Sequence, residues 1–409
     1  MPKKLKLQKL NKTHKHILFI HPGIQHTYRT ANALAKYFPS NSISLYTWFL
    51  LKEDSFFSNL SFLKKRVKPI AKNIKVHHYP CFELLLLLHL KLYKILGIQK
   101  GHTPRYQWQV LFAWFLLPMV FRKRKDCILV LTETAAWPIA KFAKKWDIPV
   151  IMDFPSISHE AAEDAGIMET PYGKKIKTLE RQYIDYGINC SEFAKKTYLG
   201  KTSAIKHEAI WLGTDFKELI NENFTYNRNI LNIACIANTE KRKGLDILLS
   251  AFERLEHPNK KLYLIGKISK TWVEDFAKEH GINLKSVIFT GPLSQQSLAI
   301  YLKQEDIHLH ILPSRFDSFG MVVPETMALG IPNILSPYVG AGEMIHHQKN
   351  GYIMEVLDEN SLLACILQFL ALNDEERFIL IKDVKQHAQI MRWDDYDQRI
   401  YNFFKPLLS

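Results

Sequence analysis

Short apolar runs, each followed by turn residues and an amphipathic stretch, recur along the chain, and nothing else restricts its fold as strongly. HILFIHPGIQHTYRTANALAKYF reads as a buried strand from Ile17 to Ile20, a turn holding Pro22 and Gly23, and then a helix. CILVLTETAAWPIAKFAKKWDIPVIMDF repeats strand, loop, helix and strand, with strands predicted over Ile128 to Leu131 and Val150 to Met152. A second series begins at NILNIACIANTEKRKGLDILLSAFERL, continues through KKLYLIGK and SVIFTGPL, and passes by way of HLHILPS to NILS. Parallel strands need helical crossovers, so this alternation predicts an α/β fold with two parallel sheets. The polar, Asn-rich WLGTDFKELINENFTYNRN between the series reads as a linker, giving domains at 1–220 and 221–393.

A chain of 409 residues suits two domains, and 47% apolar residues are enough to fill both cores. Lys and Arg exceed Asp and Glu by 15, a positive field that attracts phosphates, nucleotides or anionic lipid. Nucleic acid is not expected as a partner, because no reading module is present. Cys81, Cys127, Cys190, Cys235 and Cys365 lie far apart without Cys-x-x-Cys, which argues for a reducing, cytosolic setting. The N-terminal MPKKLKLQKLNKTHKH is basic but has no apolar core of a secretory signal. No run approaches the roughly 18 apolar residues of a membrane span. From Phe56 to Lys125, apolar helical surface alternates with Lys and Arg clusters. That pattern suits a basic rim on the cytosolic face of an anionic membrane, with the Leu84 to Leu88 run buried against the first sheet.

FDSFGMVVPETMALGIPNILS, residues 316–336, places Asp317 in a loop and Glu325 in the first turn of a helix starting near Met321 or Val322. Gly320 permits the tight turn, Pro324 is tolerated in a first helical turn, and Gly330 with Pro332 ends the helix. The helix start offers unpaired N–H groups to phosphate oxygens, and carboxylates accept hydrogen bonds from vicinal diols. Read locally, Glu325 is equally a favourable first-turn acid and Asp317 a turn former. Lys243, just before Gly244 and an apolar-periodic helix, suits a diphosphate that gains charge as it leaves.

These stretches resemble the retaining glycosyltransferases of family 4, nucleotide-sugar enzymes of the GT-B type with two Rossmann-like doubly wound domains facing across a cleft. The resemblance rests on KGLDILLSAFERL, LYLIGK, FTGPLSQQSLAIYLKQEDIHLHILPS, DSFGMVVPETMALGIPNI and VGAGEMIHHQKNGYIMEV, with weaker matches at CSEFAKKTYL, IWLGTDF and RWDDYDQRIYNFFKPLL. It implies an E-x7-E-like motif in which Asp317, one methylene shorter than the usual Glu, contacts the sugar and Glu325 binds the ribose. Lys243 then neutralises the diphosphate. The Arg that usually accompanies it is replaced by Asn238, with Lys241 or Arg242 as substitutes. Gly23, Gly266, Leu293, Ser318, Phe319, Gly320, Met321 and Val322 complete the implied donor site.

His159 is the candidate for the active-site His, because Pro155 occupies its usual place. His21, Gln25 and Glu133, with Thr132 beside it, are acceptor-side candidates. Gly340 and Glu343 correspond to a glycine-rich turn near sugar and phosphate, and Gly351 serves a turn. The resemblance further implies no bound metal or other cofactor, and a C-terminal helix from about 394 to 409 that packs back on the first domain.

The function so implied is transfer of a hexose-type sugar from a nucleotide diphosphate, with retention, to a hydroxyl of a glycan or lipid-linked glycan. A non-catalytic binder of nucleotide sugar or glycan, and a phosphorylase-type relative, remain alternatives.

Overall fold

Runs of β-branched and aliphatic residues form the inner strands because both faces of each sheet are covered there, so polar alternation is lost. The computed structural model describes residues 16–23, 26–39, 42–52, 66–99, 101–133, 136–215, 229–238 and 240–408. Two compact units are present: Met1–Cys190 with Lys195–Ile210 and Tyr396–Ser409, and Ser191–Ala194 with Trp211–Asp395. The boundary at 220/221 read from the sequence lies among residues outside those described; 211–215 belong to the second unit, where Thr214 bridges to Arg392.

The first unit holds β1 (His16–Ile20), β2 (Ile43–Thr47), β3 (Ile74–His78), β4 (Cys127–Thr132), β5 (Val150–Phe154), β6 (Tyr186–Asn189) and β7 (Lys206–Ala209). Its sheet runs β3-β2-β1-β4-β5-β6-β7 with every pair parallel. Ile17 pairs with both Ile43 and Ile128, which puts β1 at the centre. Helices α1 (Thr27–Ala35), α2 (Pro80–Ile95), α3 (Thr103–Lys123), α4 (Trp137–Lys145), α5 (His159–Asp164) and α6 (Pro171–Glu180) make the crossovers. Ser158 and Thr170 cap α5 and α6 through their hydroxyls. The end of the C-terminal helix Trp393–Leu408 packs in this unit: the Tyr396 hydroxyl and Thr30 Oγ1 are 2.7 Å apart, and Tyr401 stacks on Tyr37.

One expectation fails here. On α2 only Phe82 and Leu86 are buried, whereas Leu84, Leu85, Leu87 and Leu88 are exposed. The helix contacts α3 along a narrow line, through Phe82 against Phe112 and Phe115 and through His89, which accepts the Trp108 indole N–H at 3.0 Å. Five successive leucines point all round a helix, and one line of contact covers only those that face it.

The second unit holds β8 (Leu231–Ile236), β9 (Lys260–Ile265), β10 (Val287–Gly291), β11 (Leu309–Leu312), β12 (Asn333–Leu335) and β13 (Gly351–Ile353), parallel and ordered β10-β9-β8-β11-β12-β13. Helices α7 (Leu245–Arg254), α8 (Lys270–His280), α9 (Gln295–Gln304), α10 (Val322–Ala328), α11 (Glu359–Ala371) and α12 (Asp374–Ala388) surround it. Both sheets therefore reverse strand order next to their first strand, at β1/β4 and at β8/β11. In open α/β sheets, ligands bind outside the carboxyl ends of the strands at such a reversal.

Candidate nucleotide-sugar site

In the second unit the loops leaving β8 and β11 meet at the reversal point. Lys243 follows β8 and Asp317 follows β11, and the two form a largely buried ion pair. Around them the loops are zipped together. Arg315 N donates to Arg242 O at 2.9 Å, and Arg242 Nη1 donates to Phe316 O at 3.2 Å. Arg315 grips Asp246 in the first turn of α7 with two bonds of 2.9 and 2.6 Å. Gly244 is the pivot: its φ is +69°, and a Cβ there would lie 1.9 Å from Pro313 O.

The two substitutes offered beside Lys243 are placed differently. The Arg242 guanidinium is held at the Phe316 carbonyl and ring, and Lys241 is exposed, its carbonyl accepting from Arg315. Arg315 and Asp246 were not foreseen; the only trace of them is a basic residue and a first-turn acid flanking the two motifs.

The loop from Ser318 to Met321 turns at Gly320, with φ +90°, into α10, whose N-cap is Met321 and first residue Val322. At seven residues, α10 is barely two turns, so the positive charge of the site rests with Lys243. Thr326 donates to Asn333 Oδ1 at 2.9 Å, and the same oxygen is 2.6 Å from His310 Nδ1, which fixes α10 on β11 and β12. Burial holds His310 neutral, with its pKa near 4. So seated, α10 presents Glu325, whose Oε1 accepts from Gln295 of α9 at 3.1 Å. Burial outweighs that hydrogen bond and pushes the Glu325 carboxyl up to about 7, with the nearby Asp215 adding to the rise.

Ser318 and Phe319 are buried, and Met321 and Val322 half-buried. Ala341 N donates to Phe319 O at 2.6 Å and Gly340 N to Asp317 O at 2.9 Å, so the glycine-rich turn braces the acid loop. A Cβ at Gly340 would come within 2.1 Å of Ser318 O. Glu343 is fully engaged: its two oxygens accept from Phe193 N at 2.7 Å and from the Trp211 indole at 2.8 Å, which gives it a bracing part rather than a free carboxylate. Gly266, at φ +123°, lets β9 end close against Ala237 O and the exposed Asn238. Leu293 is half-buried just before α9, and Gly351 starts β13 against Asn333 O.

In the first unit, His21 follows β1 and is buried, and neither ring nitrogen has a hydrogen-bond partner among the described residues. Burial keeps it neutral, with a pKa near 4. Gly23 lies against its ring. Beside it, His26 Nε2 is 3.0 and 3.1 Å from the Asp153 carboxylate oxygens. Burial disfavours the charged His26, but Asp153 outweighs it and raises the pKa. This pair was missed, though Asp153 directly follows the strand predicted over Val150 to Met152. Gln25 lies outside the described residues.

Glu133 does not remain available as an acceptor-side group. Its Oε1 accepts from Arg181 Nε and Nη2 at 3.1 and 2.9 Å, its Oε2 accepts from the Tyr198 hydroxyl at 3.1 Å, and all three residues are buried. A buried carboxylate is stable only when so paired. Thr132, beside it, is buried and 3.1 Å from Thr27 Oγ1. His159 begins α5, with Nε2 3.2 Å from Glu160 and Nδ1 without a partner among the described residues. Burial, then Arg181, lowers its pKa. Pro155 is half-buried just after β5.

Residues 217–387 match the family described as Glycosyl transferases group 1. An uncharacterized glycosyltransferase of Methanocaldococcus jannaschii is 29% identical over 176 residues, 43% of this chain and 48% of that protein. The chain spans less than half the length of the first curated relatives it matches. Among solved structures, sucrose-phosphate synthase of Thermosynechococcus elongatus superposes with a TM-score of 0.70 at 15% identity, covering 96% of this chain and 99% of that one. An Anabaena protein in complex with UDP-glucose gives 0.62 at 14%, covering 96% and 100%. At these identities the likeness is one of fold: two parallel-sheet Rossmann-like units of GT-B type. The matched residues include Lys243, Asp317 and Glu325.

Proposed function

We propose that the chain is a retaining, family 4-type glycosyltransferase. It moves a hexose-type sugar from a nucleotide diphosphate donor to a hydroxyl of a glycan or lipid-linked glycan. The observation that carries the reading is the Lys243–Asp317 pair at the β8/β11 reversal, in a loop system shaped by glycines and followed by Glu325. A Lys and a carboxylate that neutralise each other at rest can exchange partners: Lys243 takes the diphosphate, and Asp317 turns to the sugar hydroxyls. Glu325 accepts the ribose hydroxyls. The charge that develops on the leaving diphosphate is met by Lys243, and the same phosphate takes the acceptor proton on the face it leaves. His159, His21 and the His26–Asp153 pair are the first unit's groups for the acceptor. No metal or other cofactor enters this reading, and the donor is a substrate. The UDP-glucose complex of the Anabaena neighbour supports a nucleotide-sugar donor.

A thermal-shift screen of nucleotide sugars with varied bases and sugars tests the donor, because a matched donor raises the melting temperature by mass action. Transfer or donor hydrolysis that disappears in Lys243→Ala and Glu325→Ala is the expected companion result. Sugar release by inorganic phosphate without any nucleotide would sink the proposal. Asn238 favours one second reading, a non-catalytic nucleotide-sugar binder, since it supplies no charge beside Lys243. Nucleotide-sugar binding without turnover across all acceptors is the result that would establish it.

A further inference from the structure

Helix α2 turns most of its apolar surface outward. Leu84, Leu85, Leu87, Leu88, Leu92 and Ile95 are between 43% and 71% exposed. On α3, Leu111, Phe115 and Phe121 are exposed as well, and the Phe115 ring lies 5.5 Å from Phe82 and 5.4 Å from Tyr79, so the two apolar surfaces join. Single exposed leucines need no explanation, but a contiguous patch of this kind marks an interaction surface.

Its surroundings say what covers it. From Pro80 to Lys125 the sequence holds eight Lys and Arg against one acid, Glu83. Glu83 is already paired with Arg66, while Lys91, Lys94, Arg105, Arg122 and Lys125 are exposed. We propose that α2 and the outer side of α3 dock on an anionic lipid surface, the leucines entering the acyl boundary and the lysines reaching the headgroup phosphates. A second copy of the chain fits less well, because an isologous contact would set these like charges against one another. The helix lies in the interface and does not cross it. At 16 residues, α2 spans about 24 Å against a hydrocarbon core of about 30 Å, and no helix among the described residues is long and apolar enough to cross.

The inference stands apart from the donor reading, since it uses none of the donor-site residues. The test is co-sedimentation of the full chain with vesicles of phosphatidylcholine alone and of phosphatidylcholine mixed with phosphatidylglycerol. Binding to the mixed vesicles is expected, with weakening of about tenfold or more in the Leu84→Asn, Leu88→Asn, Leu92→Asn triple variant. Lys91→Gln with Lys94→Gln should weaken binding several-fold and reduce its sensitivity to salt. All five side chains are exposed, so the melting temperature should hold, which separates lost docking from lost folding.

Three results would overturn the proposal. They are no sedimentation of the parent with mixed vesicles, equal binding to both vesicle types, and equal binding by parent and triple variant. A concentration-dependent dimer that the triple variant abolishes, without vesicle binding, would assign the face to a second copy instead.

Discussion

Glu325 keeps its proton to about pH 7 because burial penalises its charged form more than Gln295 favours it. Against an unfolded value near 4.3, the folded protein binds the extra proton between about pH 4.5 and 7. Stability from this group is therefore present below that window and declines as pH rises through it. Glu325→Gln removes the decline, so its stability relative to the parent should improve from pH 5 to pH 7 in denaturant titrations. Donor affinity should move the other way. A ribose diol donates best to the carboxylate, so the parent should bind nucleoside diphosphate more tightly at pH 8 than at pH 6, beyond the change seen in Glu325→Gln. Equal pH profiles for parent and variant would remove Glu325 from the ribose.

Asp317 competes with diphosphate for Lys243. Asp317→Asn should then bind nucleoside diphosphate more tightly, by about 1 kcal/mol, yet transfer sugar poorly because the sugar loses its charged acceptor. Calorimetry on nucleoside diphosphate alone reads the first effect; weaker binding by this variant would show that the carboxylate supports the nucleotide rather than opposing it.

At the scale of elements, the α7 start depends on one backbone conformation. Gly244 has a positive φ and no room for a Cβ beside Pro313 O. Gly244→Ala should cost about 2–4 kcal/mol from left-handed strain and overpacking together. It should also weaken donor binding, since Lys243 is its neighbour. Urea unfolding measures the first effect, and a loss under about 0.5 kcal/mol, the scale of an ordinary surface change, would mean the loop yields freely.

This glycine was readable from its place between a strand and a helix, and so were the strands, because a period and its breaks are local properties. The exposure of Leu84, Leu87 and Leu88 was not readable. An all-apolar helix looks the same in sequence whether protein or something else covers it, and only the narrow contact with α3 decides. Glu133 failed for a related reason: its strand-end position suits a ligand site, but its partners Arg181 and Tyr198 lie 48 and 65 residues away in the chain. The Lys243–Asp317 pairing, 74 residues apart, likewise needed the fold before it could be seen.

At the scale of the whole molecule, two sheets with the same inner strand order pose a question that topology does not answer. Each unit has its own core and its own reversal point, so by fold alone either could hold the nucleotide. The chemistry at the two reversals differs. In the first unit, β1 leads to a neutral, buried His21, and the imidazole beside it, His26, is held by Asp153. In the second, β8 leads to Lys243, whose partner Asp317 stands on a loop that Gly320 turns and Gly340 braces. A diphosphate carries its charge at any pH near neutral, so a lysine suits it better than an imidazole whose charge changes near neutral pH. Bound donor nucleotide should accordingly slow amide exchange in 241–246 and 313–320, while β1, β4 and β5 of the first sheet exchange as they do without ligand. Hydrogen-exchange mass spectrometry with nucleoside diphosphate alone reads both segments at once. Protection centred on the segments carrying His21 and Asp153, with 241–246 unchanged, would move the nucleotide to the first unit and leave the Lys243–Asp317 pair as an internal brace.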